Sequence, residues 1–238
     1  MSVEPNAVDV PVIKCYVSRC KGGLSCQDRK IIIDEHNRLR QQIALGRIRG
    51  QPGASNMVEV RWDDELANTA QKWANLCSED HDNSRHVKRF AVGQNLARSW
   101  TTRPPTSNAD ALPDFIRQIN NWFNEVTMFH MNGVNSGTGH YTQVVWSDTY
   151  AVGCGYSYYW DPRRGYTKNY VCNYGPSGNV RGHQPYASGQ QSCGRYGMLN
   201  SKSHSGLCCD FNPESQKIEF ANTVSFTGSS NTHIYIYI

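Results

Sequence analysis

AVGCGYSYYWDPRRGYTKNYVCNYG, residues 151–175, reads as two β-like runs, AVGCGYSYYW and KNYVCNY, on either side of a turn at DPRRG, 161–165. If the hairpin is centred on Arg163, Cys154 and Cys172 lie equally far from it and face each other. Opposed antiparallel residues sit about 4.5–5.5 Å apart at Cα, within disulfide reach, so a Cys154–Cys172 bridge is expected.

Upstream of this hairpin, the glycine-rich stretch NGVNSGTG at 132–139 leads into YTQVVWS, which reads as a further β-like run with His140 at its head. Earlier still the pattern turns helical. From Asp28, DRKIIIDEHNRLRQQIALG places Ile32, His36, Leu39 and Ile43 on one face, with Gly46 as a stop. WDDELANTAQKWANLC opens on Asp63, a good N-cap, and sets Leu66, Ala67, Ala70, Trp73, Ala74 and Cys77 facing inward. DALPDFIRQINNWFNEV carries the stripe Ile116, Ile119, Phe123 and Val126, with Glu125 three residues after Trp122 on the same third helix. Helices followed by strands favour an α+β fold over a βαβ repeat. Three segments are expected: an N-terminal arm over 1–27 stapled by cysteines, a main domain over 28–180, and a C-terminal extension over 181–238. The extension contains Cys193, Cys208 and Cys209, and ends in a hairpin formed by KIEFANTVSF and HIYIYI.

Composition narrows the function. With 24 Lys+Arg against 20 Asp+Glu, the net charge of +4 over 238 residues is too small to indicate a nucleic-acid or membrane-surface partner. The basic run from Arg85 to Arg89 is expected to be a solvated loop. No stretch approaches the roughly 20 apolar residues of a membrane helix, and no signal peptide is visible at the N-terminus. Nine cysteines nevertheless exceed what a cytosolic domain usually keeps as thiols, and they lack zinc-module spacing. The chain therefore reads as a secreted, extracellular protein without its leader. The odd count leaves one thiol unpaired or linked to another molecule.

Four polar residues stand in aromatic or glycine-rich surroundings: His81 beyond the second helix, Gln94 in GQN, Glu125, and His140 in GHYTQVVW. Two imidazoles and a carboxylate suffice for a divalent-metal site completed by water. The same histidines could equally cap helix or strand ends. In HNRLR, His36 and Asn37 are expected to be satisfied polar groups in the core. There is no GxSxG elbow, phosphate-cradling glycine loop or catalytic cysteine context.

Four strings in order, EHNRLR at 35–40, GQNLA at 93–97, GHYTQVVWSDT at 139–149 and YVCNYGPSGN at 170–179, closely resemble the CAP superfamily. This superfamily comprises the cysteine-rich secretory, antigen-5 and pathogenesis-related class 1 proteins. The resemblance spans about residues 15–180, and KCYVSRCKGG, VGQN and PYASGQQSC look most like arthropod antigen-5 venom allergens. It implies a three-layer α-β-α sandwich with a central antiparallel sheet and a large cleft. A His/Glu/Glu/His tetrad would line that cleft, falling here on His81, Gln94, Glu125 and His140. Gln94 replaces one glutamate, so a Zn²⁺ ion across His81 and His140 would have less charge to hold it, and acid–base chemistry would lack a second carboxylate.

The resemblance favours a non-enzymatic protein, a venom or salivary component. It would bind a small hydrophobic ligand, such as a sterol, fatty acid or related lipid, in the central cleft or in a pocket between helices, and act on a host or prey protein. The competing reading is a metal-dependent hydrolase or protease with Glu125 as base. A channel-blocking role would need a longer cysteine-rich C-terminal module. By resemblance the arm cysteines pair as Cys15–Cys26 and Cys20–Cys77. In the tail Cys193 pairs with Cys208 or Cys209, and the remaining one is free or links two chains.

Overall fold

A reciprocal cap starts the first helix. In the computed structural model, which describes residues 24–131 and 137–211, Asp28 N–H donates to Ser25 Oγ (3.1 Å) and Ser25 N–H donates to the Asp28 carboxylate (3.0 Å). Helix α1 therefore runs Cys26–Ala44, two residues earlier than expected, and the chain turns away through Gly46 at φ +64°. The stripe Ile32, His36, Leu39, Ile43 is buried as anticipated.

Three polar residues of α1 fix its position. Asn37 bonds both backbone groups of Val60, donating to its carbonyl (3.0 Å) and accepting from its N–H (2.8 Å). His36 Nδ1 donates to the Ile32 carbonyl (2.7 Å), so its Nε2 accepts from the Tyr174 hydroxyl (3.0 Å). Burial lowers the pKa of that imidazole to about 4. Arg40 is fully buried, and its guanidinium donates to the carbonyls of Val58, Val144, Trp146, Ser147 and Thr149 at 2.6–3.2 Å. Burial pulls it down to about 9, which leaves it cationic at neutral pH. It ties α1 to two loops.

The sheet has strand order β1-β3-β4-β2, with β1 at Arg61–Trp62, β2 at Gly93–Thr101, β3 at Ala151–Asp161 and β4 at Gly165–Gly175. It is antiparallel except where β1 runs parallel to β3 for two residues. The hairpin register matches the sequence arithmetic: Cys154 opposes Cys172, and the two are bridged at a Cα separation of 4.1 Å. Helix α2 (Asp64–Asn75), capped by Asp63, covers one face of the sheet. It can approach because Gly153 and Gly155 lack side chains; a Cβ at Gly153 would lie 2.2 Å from Ala67 N. Helices α1 and α3 (Phe115–Phe123) cover the other face, where Val152, Cys154, Tyr170, Cys172 and Tyr174 join the main core. The result is the expected α+β fold, a three-layer α-β-α sandwich.

Four local expectations are corrected. YTQVVWS is not a strand, since α4 (Gly139–Val144) occupies its first half. Its opening N–H groups are capped by Glu125 from outside the segment, and Arg40 takes the carbonyls that follow, so no strand partner is required. The buried stripe of α3 is Phe115, Ile119, Trp122 and Phe123, whereas Ile116 is exposed. Helix α3 ends at Phe123, and Glu125 sits in the separate 3₁₀ turn Asn124–Met128. Cys77 lies past the end of α2 at φ +55° and is only partly buried, because the helix stops at Asn75 before reaching it.

The segment 181–211 packs onto the sandwich. Ala187 and Cys208 exchange backbone hydrogen bonds with Ser55, Met57 and Glu59, and Leu207 is fully buried in the main core. The short hairpin β5 (Met198–Asn200) and β6 (Cys208–Phe211) is tied down by Cys193–Cys208. That bridge selects Cys208 over Cys209 and removes Cys208 from any link between chains. Cys15, Cys20 and the terminal KIEFANTVSF/HIYIYI hairpin lie outside the described residues, and with them the expected Cys15–Cys26 and Cys20–Cys77 pairs. The Arg85–Arg89 run is a loop, as expected, but an anchored one: Arg85 donates to the Asp82 and Val92 carbonyls, and Arg89 pairs with Asp63 and Glu65.

Candidate functional site

Strand β2 lies at an edge of the sheet, and its consecutive residues Gln94 and Asn95 point to opposite faces. Each holds one half of the tetrad. Gln94, on the α2 side, is almost fully buried, with Nε2 donating to Asn173 Oδ1 (2.9 Å). Its Oε1 accepts from the Asp82 N–H (3.0 Å) and lies 3.0 Å from His81 Nδ1. The Asp82 amide identifies that amide atom as oxygen, so His81 Nδ1 must be the donor. On the other face, Asn95 donates to the His140 carbonyl (3.1 Å).

His140 occupies the first turn of α4. Its Nδ1 lies 2.6 Å from Glu125 Oε1, while Glu125 Oε2 accepts from the N–H groups of His140 (3.0 Å) and Tyr141 (3.2 Å). Glu125 thus serves as a helix cap and as the orienting partner of the imidazole. The Trp122 ring stacks on His140, with centroids 6.2 Å apart and planes 25° apart. Trp122 is itself fixed by donating to the Leu96 carbonyl (3.3 Å).

Both histidines are therefore held with a proton on Nδ1, which leaves Nε2 as an acceptor in the neutral ring. This is the tautomer a metal-binding imidazole uses when its far nitrogen is tied to an oxygen. Among the described residues no group of three or more His, Cys, Asp and Glu is placed to hold a metal. Of the four residues, only His81 and His140 keep a ring nitrogen that could serve a metal, so Zn²⁺ held here would draw the rest of its shell from water or ligand. Glu125 has both oxygens engaged, and Gln94 has none of the charge a glutamate would bring.

Of the four residues expected from the sequence, His81 sits beside Gln94 and His140 beside Glu125; the residues that support them were not expected. Trp122, Asn95, Asp82 and Asn173 orient the site. The only local signals for them are the Trp122–Glu125 spacing and the asparagine inside GQN. Two cavities occur elsewhere on the described residues. One, of about 550 Å³, lies at the far end of β2; the other, of about 430 Å³, lies between α1 and β1. Neither of these two is lined by His81, Gln94, Glu125 or His140.

Comparison with known proteins agrees with this architecture. The family model described as the cysteine-rich secretory protein family, CAP, matches residues 33–174. The chain is 38% identical to a venom allergen 5 of Tityus serrulatus over 89% of its length, but spans only 54% of that relative. It is 37% identical to a salivary antigen-5 of Dipetalogaster maximus, covering 76% of this chain and 74% of the relative. Among solved structures, NaASP2 with Zn²⁺ superposes with a TM-score of 0.61 at 27% identity, over 79% of this chain and 98% of that one.

Proposed function

The chain belongs to the cysteine-rich secretory protein (CAP) family, and from that premise we propose that it is a secreted, non-enzymatic binding protein of the venom and salivary antigen-5 type. In this reading it carries a divalent cation on His81 and His140 and a small hydrophobic ligand elsewhere on the fold, and acts on a host or prey protein.

The observation that carries the reading is the pairing of each imidazole Nδ1 with a side-chain oxygen, His81 with Gln94 and His140 with Glu125. It leaves two Nε2 atoms as ligands and no unengaged carboxylate among the four tetrad residues. Glu125 spends its oxygens on two backbone amides and one ring N–H, which disfavours a role as general base. A bound Zn²⁺ would supply a Lewis-acidic, positively charged point on the surface beside β2. The relative NaASP2 was solved with Zn²⁺, which supports this choice of ion. For the hydrophobic ligand, the groove of about 430 Å³ between α1 and β1 offers apolar walls at Ile33, Val60 and Trp62.

Isothermal titration with Zn²⁺ tests the cation half. One ion per chain, lost in both His81→Ala and His140→Ala, is expected; binding unchanged in both variants, or none in the wild type, overturns it. Native mass spectrometry after exposure to sterols and fatty acids tests the lipid half. The absence of any adduct across both classes removes it. Peptidase or esterase activity abolished by chelation and by His140→Ala would replace the binding role with the hydrolase.

A further inference from the structure

Strands β3 and β4 extend beyond the helices that cover them. On the face carrying α3, the register places Tyr156, Tyr170 and Ala97 in one row, then Tyr158, Lys168 and Ser99, then Trp160, Tyr166 and Thr101. Phe115, at the head of α3, packs edge-on against Tyr156 and Tyr170, with centroids 6.5 and 5.3 Å away. Past that row, residues 101–114 form the opposite wall, and the space between is the cavity of about 550 Å³. Its size falls in the range of small-molecule sites.

The charges in this cavity are unevenly satisfied. Both acids are occupied locally: Asp110 accepts from Thr106 N–H (2.7 Å), Thr106 Oγ–H (3.0 Å) and Ser107 N–H (3.0 Å), and Asp114 caps α3 through Arg117 N–H (3.1 Å). Arg98 is paired with Glu79 (3.0 Å) and donates to the Cys77 carbonyl (2.7 Å). Lys168 spends one N–H on the Leu112 carbonyl (2.7 Å). The guanidinium groups of Arg103 and Arg117 make no hydrogen bond or ion pair among the described residues, yet both line the cavity. Beside them the Tyr158 and Tyr166 rings stand nearly parallel, 18° apart with centroids at 6.3 Å.

Two unspent guanidinium forks and a partly spent ammonium call for a compact, multiply accepting anion. The tyrosine rings call for a flat apolar partner attached to it. We propose that this cavity binds a small aryl oxyanion, a single aromatic ring bearing a sulfate or phosphate ester, with the ester on Arg103 and Arg117 and the ring against Tyr158 and Tyr166. A tetrahedral ester has enough oxygens for both guanidinium groups and a remaining Lys168 proton; a neutral phenol has no charge to meet them. The site is separate from the histidine pairs, since Gln94 lies at the opposite end of β2, and it stands whether or not Zn²⁺ binds.

The test is an NMR titration of the ¹⁵N-labelled protein with phenyl phosphate and phenyl sulfate, using inorganic phosphate and phenol as controls. Saturable shifts at the Trp100 indole and at residues 98–117 are expected for at least one ester, at a Kd of about 1 mM or tighter. Inorganic phosphate and phenol should each bind at least about tenfold more weakly. Arg103→Gln and Arg117→Gln should each weaken ester binding about tenfold, the scale of one charge-assisted hydrogen bond. Both arginines are exposed, so unchanged spectra elsewhere and an unchanged Tm will show that the fold is intact. No shift at the cavity with either ester, equal affinity for inorganic phosphate, or binding indifferent to both arginine variants overturns the proposal.

Discussion

Gln94→Glu restores a carboxylate beside His81 without moving the backbone, and its effect on metal affinity follows from the geometry. The Gln94 oxygen lies 3.0 Å from His81 Nδ1. An ion on Nε2, beyond the ring, would sit about 7 Å from that oxygen, given a Zn–N distance near 2 Å. At that separation a unit charge attracts a divalent cation by about 1 kcal/mol at the dielectric of water and by about 5 kcal/mol at an effective value of 20. His81 is exposed, which puts the gain near the lower limit.

The substitution has a cost as well. A glutamate cannot donate to Asn173 Oδ1 as Gln94 does at 2.9 Å. Asn173 can turn its amide, because its own bond to the Leu66 carbonyl is long, at 3.4 Å. The new carboxylate also strengthens the hydrogen bond from Asp82 N–H. The expected net effect is about 1–2 kcal/mol, or roughly a tenfold tighter Zn²⁺ Kd, with a larger gain at low salt. Isothermal titration at pH 7.5, alongside the double variant His81→Ala/Gln94→Glu, is the assay. Unchanged or weaker affinity in a folded Gln94→Glu protein, or a gain that survives loss of His81, would refute the reasoning.

Other consequences can be measured directly. Replacing Glu125 with Ala uncaps the His140 and Tyr141 amides and releases the His140 ring; a loss of about 1 kcal/mol in urea melts and at least about tenfold in Zn²⁺ affinity is expected. Zn²⁺ affinity indifferent to the change would place His140 outside the metal site. His36 has a folded pKa near 4 against an ordinary value of 6.5, so the unfolded chain takes up a proton that the native state refuses. This stability is complete above pH 6.5 and is lost as pH falls toward 4, about 2 kcal/mol of it by pH 5. Direct NMR titration of the His36 ring should find it neutral at pH 5; protonation near pH 6.5 contradicts the assignment. Changing both Cys193 and Cys208 to Ser opens a loop with a sequence separation of 15 and should cost about 3 kcal/mol by urea denaturation. A cost below about 1 kcal/mol would mean that Leu207 and the backbone bonds to Met57 and Glu59 hold the segment without the bridge.

Much was legible in the sequence because much is local. The β3–β4 register follows from a short turn and a period of two, and so Cys154 meets Cys172. The start of α2 follows from the Asp63 cap, and the buried face of α1 from a period near 3.6. Gln94 and His140 stand in strings that carry the family resemblance, and His81 and Glu125 were assigned to the tetrad only through that resemblance, since the four are too far apart for a local spacing rule.

Tertiary contacts alone decided the rest. The run at 139–147 has β-like composition, yet it begins as a helix because Glu125 caps its amides and the buried Arg40 collects its later carbonyls. Neither partner lies within the segment. The choice between Cys208 and Cys209, identical in type and adjacent in sequence, fell to the pairing of Cys208 with Met57 and Glu59. The imidazole tautomers were settled in the same way, by oxygens arriving from β2 and from the 3₁₀ turn after α3. Sequence patterns encode bonds made within a turn or across a hairpin; a hydrogen bond to a distant carbonyl or amide leaves no such pattern until the chain has folded.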